Sequence, residues 1–323
     1  MQKDLQLIQN FLSNSEELND EDKIILMKAL KSADSDFTIS EFKLERTEKV
    51  KRTTGILLEE TIEELEQKRK AVEEQAKIIE AENERKTIEM EEARQMQLAM
   101  LPEELPQIEN LDIAVYMKTA TEVGGDYYDF SFKEDGSLNI AIGDATGHGL
   151  KAGIMVSLMK SIFTMNSQKM DIEEFFITAN NGIKSMNLKR MMMGFTMLNI
   201  DKNKFKLINA GLPPVFLYCK KSNTVTEIKE HDIPVGAMNH TKFNTLNGSL
   251  EKGDVILLMS DGMPELQNAN NEMYGYERIL DGFKKLGNNK PEEIISYLKN
   301  EGSTWVNDKE PEDDVTFVVI KVK

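Results

Sequence analysis

Residues 45–101 contain no proline and a single glycine, Gly55, and are dominated by Glu, Lys, Gln and Arg. Nothing in such a stretch breaks a helix, and little in it builds a core. At about 1.5 Å rise per residue it makes a helix roughly 85 Å long. A spacing of three and four residues lines up Ile62, Leu65, Arg69, Val72, Ala76, Ile79, Asn83, Lys86, Met90, Ala93, Gln97 and Met100, and eight of these twelve are apolar. A lone helix cannot bury that stripe, so the spacing predicts a parallel coiled-coil homodimer. Asn83 falls where a buried Asn fixes a two-stranded register, whereas Arg69, Lys86 and Gln97 weaken the seam. The alternative is a solvated, charged helix packed on its own domain. In the coiled-coil reading, a marginal seam can change register or packing in response to a signal. Pro102 and Pro106 stop the helix.

Either side of this linker the texture changes. Residues 1–44 read as short helices, with Ser13-x-x-Glu16 and Thr38-x-x-Glu41 as capping boxes around the apolar segment Ile24–Leu30. They form a small helical unit or a dimer arm. From residue 107 the chain reads as strands near 111–117, 127–132, 137–143, 193–200, 204–210, 214–218, 224–228, 255–260 and 315–322. Glu134-Asp135-Gly136 and Asp201-Lys202-Asn203 are hairpin turns. Helices are expected at 149–165, 172–186, 276–286 and 291–301. Strand runs interrupted by helix pairs predict an α+β sandwich rather than a doubly wound fold. The expected organisation is therefore 1–44, a linker at 45–106, and a domain at 107–323.

The charge balance excludes some partners. With 56 acidic against 40 basic residues, the net charge of -16 argues against a general binder of nucleic acid or anionic membrane. No apolar run has membrane-spanning length, and the N-terminus lacks a secretory pattern, so a cytoplasmic protein is expected. Cys219 is the only cysteine, and the only histidines are His148, His231 and His240. A Cys- or His-based zinc or iron site is thereby excluded.

What remains for chemistry is oxygen. Asp126, Asp144, Asp261 and Asp313 each fall where a strand begins or ends, and glycines adjoin the first three: Gly124-Gly125 before Asp126, Gly143 before Asp144, Gly262 after Asp261. One such aspartate is a turn or a cap. Four of them suit a hard divalent cation, which takes charged oxygen ligands. Crowded together without a cation, the carboxylates would repel and their pKa values would rise. Two Mg²⁺ or Mn²⁺ ions about 3.5–4 Å apart could acidify a water for in-line attack on phosphorus.

At these residues the chain resembles the metal-dependent protein phosphatase (PPM) family, in its bacterial SpoIIE/RsbU-type branch. The resemblance rests on Glu122-Val-Gly-Gly-Asp126-Tyr-Tyr-Asp129, Gly143-Asp144-Ala-Thr-Gly-His148-Gly149, Asn209-Ala210-Gly211, Ser260-Asp261-Gly262 and Asp313-Asp314-x-Thr316. It begins at Ala93-Arg94-Gln95-Met96-Gln97 and Met100-Leu101-Pro102, and covers residues 93–323. It implies two antiparallel sheets packed face to face, flanked by helix pairs, with a binuclear Mn²⁺ or Mg²⁺ centre at one end. It also implies hydrolysis of phosphoserine or phosphothreonine in a protein. Carried over by position, Asp144 bridges both ions and the Ala145 carbonyl is a backbone ligand. Asp261 and Asp313 hold one ion, and Asp126 holds the other directly or through water. Asp314 is the fallback for Asp313. His148 is either a general acid for the leaving serine oxygen or a shaper of its turn.

The chain departs from the family after Asn209-Ala210-Gly211, where Leu212-Pro213-Pro214 follows. No arginine precedes Gly124 to bind phosphate; Lys118 is a substitute or an ordinary strand-end lysine. Met191-Met192-Met193 is a partner-binding surface or core packing. The family's usual substrate is a phosphorylated STAS-domain protein of the anti-anti-sigma type. Two rival functions exist: a catalytically silent scaffold that binds partners through the coiled coil, and an ATPase with Asp144–Gly149 as its nucleotide loop.

Overall fold

The segments Val255–Met259 and 315–320 are apolar almost residue by residue, the pattern expected when both faces of a sheet are covered. The computed structural model shows how the covering is done. It describes residues 3–120, 123–187, 191–229, 232–307 and 309–323, so Glu122 and His231 lie outside the described residues. The chain divides into two compact units, Met1–Glu84 and Arg85–Lys323.

The first unit holds α1 (Lys3–Asn14) and most of α2, which runs unbroken over 79 residues from Asp20 to Leu98 and so ends inside the second unit. The helix assigned to residues 45–101 therefore starts well before them. Neither expected capping box forms. The Ser13 hydroxyl donates to the Gln9 carbonyl and the Thr38 hydroxyl to the Asp34 carbonyl, each bonding four residues back inside a helix. Asn19 is the cap instead, its side-chain oxygen accepting from the Asp22 amide at 2.8 Å. Leu65, Val72 and Ile79 on the seam are exposed by more than half.

The second unit is two five-stranded antiparallel sheets. One has the order β1 (Leu111–Lys118), β10 (Val315–Val322), β9 (Val255–Met259), β6 (Val215–Cys219), β7 (Thr224–Ile228). The other has β2 (Asp126–Phe132), β3 (Leu138–Ala145), β4 (Met193–Asp201), β5 (Lys204–Ala210), β8 (Leu246–Ser249). Alternate residues of β3 show the layering. Leu138, Ile140 and Ile142 enter a core shared with Ile256, Leu258, Val318 and Ile320 of the facing sheet. Ala141 and Ala145 point the other way, into a core with α3 (Leu150–Asn166) and α4 (Ile172–Ser185). There Phe163, Phe175, Phe176 and Phe195 pack edge-on and stacked. The opposite sheet carries α6 (Tyr276–Leu286) and α7 (Pro291–Trp305), whose Ile279, Phe283, Ile294 and Leu298 cover Phe216, Leu257 and Phe317. Each such fully buried side chain contributes about 1.5–3 kcal/mol relative to exposure. Met193 is buried completely, so the methionine run ends in core packing.

Register fixes where the aspartates fall. Asp126 pairs with Asp144 across β2 and β3, and Lys118 pairs with Val315 across β1 and β10. Strands β1, β3 and β9 therefore end, and β2 and β10 begin, at one end of the sandwich. The one-turn α5 (Gly262–Glu265) starts there too.

Candidate metal centre

Four strand ends deliver four carboxylates to this place, and each is held differently. Asp144 ends β3. Asp261 follows β9, and Asp313 precedes β10. These three, with the Ala145 segment, His148 and Asp314, line one open cavity of about 470 Å³. Glu312 lines it as well, and neither composition nor motif singled that residue out.

Asp126 lies beneath the cavity rather than in its wall, at 1% exposure. One of its oxygens accepts hydrogen bonds from the Ser260 hydroxyl at 2.8 Å and from the Thr316 hydroxyl. Thr316 lies in β10 of the facing sheet and Ser260 directly follows β9, so Asp126 ties the two sheets together at this end. Its other oxygen, Oδ1, is buried with no hydrogen-bond partner. An orphaned carboxylate oxygen is costly inside a protein, and a cation is one way to satisfy it.

Asp314 is occupied otherwise. Its Oδ1 accepts from the Ala120 amide at 2.7 Å, and its Oδ2 accepts from the amides of Gly125 and Asp126. With both oxygens engaged by backbone, this side chain organises the β1–β2 loop, whereas Asp313 accepts only the neighbouring Asp314 amide. Gly125 is required by proximity. A Cβ at that position would stand 2.8 Å from the Ala145 carbonyl and 3.0 Å from an Asp144 oxygen. The glycine thus lets β2 approach the β3 end closely enough to form a cradle.

The electrostatics follow from crowding. Burial first, then the charges of Asp261, Asp313, Asp314 and Glu265, push Asp144 up to about 8. Burial, Glu265 and Asp313 raise Asp261 to about 6. Burial, then Asp144, holds Asp126 well above the carboxylate range despite its two hydroxyl donors. Asp313 is raised by burial, and the nearby His148 opposes that shift. Lys118, offered by the sequence as a phosphate ligand, instead pairs with Glu310 at 2.5 Å and does not line the cavity. Among the described residues no three His, Cys, Asp or Glu side chains already stand as tightly as ligands around a bound ion. The donor set nevertheless fits a hard divalent cation: carboxylates in excess, one orphaned oxygen and a carbonyl within the cradle.

Two further networks frame the site. The Asp129 carboxylate accepts from the Tyr127 hydroxyl at 2.6 Å and from Lys160 at 2.7 Å, pinning α3 to β2. Gln97, the seam's weak point in the sequence, is 5% exposed near the end of α2. Its amide group donates to the Gly124 carbonyl at 2.7 Å and accepts from the Gly124 amide at 3.0 Å. The last turn of the long helix is therefore bonded to the residue two before Asp126. In the sequence Gln97 stood out only as one of the residues that weaken the seam and as part of the junction motif.

Residues 134–323 match the family described as Stage II sporulation protein E (SpoIIE). The chain belongs to the SpoIIE family. It is 30% identical over 242 residues to the phosphoserine phosphatase RsbU of Bacillus subtilis, covering 73% of this chain and 70% of that protein. Its fold is that of the SiaA-PP2C domain of Pseudomonas aeruginosa, with a TM-score of 0.64 at 16% identity, over 75% of this chain and 98% of that one. The catalytic domain of the serine/threonine phosphatase PstP, solved with two manganese ions, aligns with a TM-score of 0.51 at 16% identity, over 66% of this chain and 98% of that one. The SpoIIE-family sandwich is thus a PP2C-type phosphatase fold. Asp144–Gly149 is a strand end and turn within it, which removes the ATPase reading.

Proposed function

We propose that this SpoIIE-family protein hydrolyses phosphoserine or phosphothreonine in a protein substrate by a two-metal mechanism at the Asp144 cleft. The enzyme class, a serine/threonine phosphatase of the RsbU and SpoIIE kind, follows from the family. One observation carries the metal assignment: carboxylates from separate strand ends converge, and a buried Asp126 oxygen beside Asp144 has no partner. In this reading Asp144 and the Ala145 carbonyl would serve both ions, Asp261 and Asp313 would hold one, and Asp126 would hold the other directly or through water. Bound there, Mg²⁺ or Mn²⁺ would neutralise the acidic cluster, draw in the phosphate and acidify the attacking water.

The chain's own groups do the rest. Asp314 and Gly125 hold the loop that positions Asp126. His148, exposed in the cleft and near enough to Asp313 to influence it, is a general acid for the leaving serine oxygen or a shaper of its turn. The STAS-domain class of substrate is taken from the SpoIIE/RsbU resemblance, which the identity to RsbU supports, and implies action in the cytoplasm. Regulation enters through α2: the exposed seam favours a parallel homodimer, and Gln97 offers a path from the helix to the Gly124–Asp126 loop.

Hydrolysis of an aryl phosphate and a phosphothreonine peptide tests the core of this, with Mn²⁺, with Mg²⁺ and with EDTA, beside Asp144→Asn. Metal-dependent turnover that disappears in the variant is the expected result. A folded Asp144→Asn protein with full activity would sink the bridging assignment.

A further inference from the structure

A second cavity lies on the other side of Asp261. It has a volume of about 240 Å³, and Asp261 is a wall of both it and the metal cleft. Leu212, Pro213, Pro214 and Tyr276 give it apolar surface, and Glu265 stands at its edge. Lys229, which also lines it, is paired with Glu227 at 2.9 Å. This is the segment where the chain departs from its family, after Asn209-Ala210-Gly211.

The Leu212–Pro214 loop is built in advance. Asn209, 1% exposed, receives a hydrogen bond from the Thr196 hydroxyl at 2.8 Å and another from the Leu212 amide at 3.2 Å. Its own amide group donates to the carbonyls of Leu212 and Pro213, the latter at 2.8 Å. Two consecutive prolines stiffen what Asn209 anchors, so little entropy is lost when something binds there. Glu265 is exposed and has no cationic partner among the described ion pairs, and its charge reaches Asp144, Asp261 and Tyr276. Apolar side chains on one side of a largely polar cavity that shares Asp261 with the catalytic cleft, with an unanswered carboxylate beside them, fit a polypeptide with an apolar residue followed by a basic one.

We propose that this cavity is a specificity pocket of the phosphatase: it takes an apolar side chain adjacent to the substrate's phosphoserine, and Glu265 pairs with a basic residue next to that. The proposal rests on the phosphatase reading and adds to it a preference for one class of phosphopeptide. Tyr276 and the loop supply contact area; Glu265 supplies the charge.

Three phosphoserine peptides test it, symmetric so that chain direction is irrelevant: Arg-Leu-phosphoserine-Leu-Arg, the same with Gly for Leu, and the same with Glu for Arg. The unsubstituted chain with Mn²⁺ should prefer Leu over Gly by about tenfold in kcat/KM, the scale on which a hydrophobic pocket discriminates. Tyr276→Ala, a change at a surface position, should bring that ratio close to unity. Glu265→Lys should reverse the preference for Arg over Glu. Indifference of the unsubstituted chain to these changes would overturn the proposal, as would preferences that survive both substitutions, while leaving the phosphatase reading intact. An aryl phosphate run alongside separates the two failures. If neither it nor any peptide is turned over, the phosphatase reading fails and the pocket falls with it.

Discussion

The two units of this chain leave opposite things unsatisfied. The sandwich of the second unit buries its apolar side chains in three continuous cores but gathers carboxylates that repel one another at one end. Along α2 the charges are solvated, several in i,i+4 pairs such as Glu64–Lys68, and it is the apolar residues that stay exposed. The first deficit is of the kind a cation relieves, and the second of the kind another helix relieves. Unfavourable features of this kind mark where a folded chain expects a ligand, and the chemistry of the deficit states which ligand.

The comparison breaks most sharply at Asp144. Asp144→Asn should cost turnover on the order of a thousandfold while the metal-free protein melts higher at neutral pH, because the penalty of burying an ionisable carboxyl has gone. Lower stability in the variant would mean that the carboxylate serves the fold and not a metal. On the helix, Leu65→Asp with Val72→Asp should convert a dimer to a monomer in sedimentation and leave the thermal transition of the sandwich where it was. A dimer that survives both substitutions would place the self-association elsewhere.

Gln97 tests whether the end of α2 is coupled to the Gly124–Asp126 loop within the second unit. Gln97→Ala strands the Gly124 amide and carbonyl, a loss of roughly 1–3 kcal/mol that denaturant titration reads directly. If the helix acts through this contact, the seam substitutions should alter turnover in the native background and have no effect beside Gln97→Ala. Equal effects in both backgrounds would remove Gln97 from the path.

The smallest effect is in pH. The folded-state pKa values of Asp144 and Asp261, about 8 and about 6, lie above the ordinary value of 3.8. A group raised in the folded state favours folding below its unfolded pKa, and that advantage is lost as pH rises through the folded value. Metal-free protein should therefore lose stability between about pH 4 and pH 8. Added Mn²⁺ should raise Tm by more at pH 8 than at pH 5, since protons compete for the same oxygens. A Tm increment independent of pH would mean that the ion binds away from these carboxylates.

Much of this was legible in the chain. The glycine-flanked aspartates marked strand ends that the structure brings to one end of the sandwich, since Gly and Asp suit tight turns. Apolar runs gave nine strands close to their observed limits. The tenth, β8, was missed because Leu246-Asn-Gly-Ser249 is a short edge strand without apolar alternation. The continuity of α2 through residues 20–44 was missed for a related reason: a serine or threonine that caps a helix and one that bonds back to its own helix look the same in sequence.

Composition and pattern alone determined that this chain has a long helix with an unburied seam and a two-layered β domain with aspartates at its strand ends. Those follow from local preferences and from side chains whose chemistry is fixed. Which oxygen does what was decided only by the tertiary structure. Of the adjacent Asp313 and Asp314, one opens to the cleft and one holds three backbone amides. Asp126 turns toward Ser260 and Thr316 from the opposite sheet, and Gln97 leaves the seam to hold Gly124. Every one of those partners is distant in sequence. Hydrogen bonds are specified by where a group points, and only the packing of two sheets against each other sets that direction.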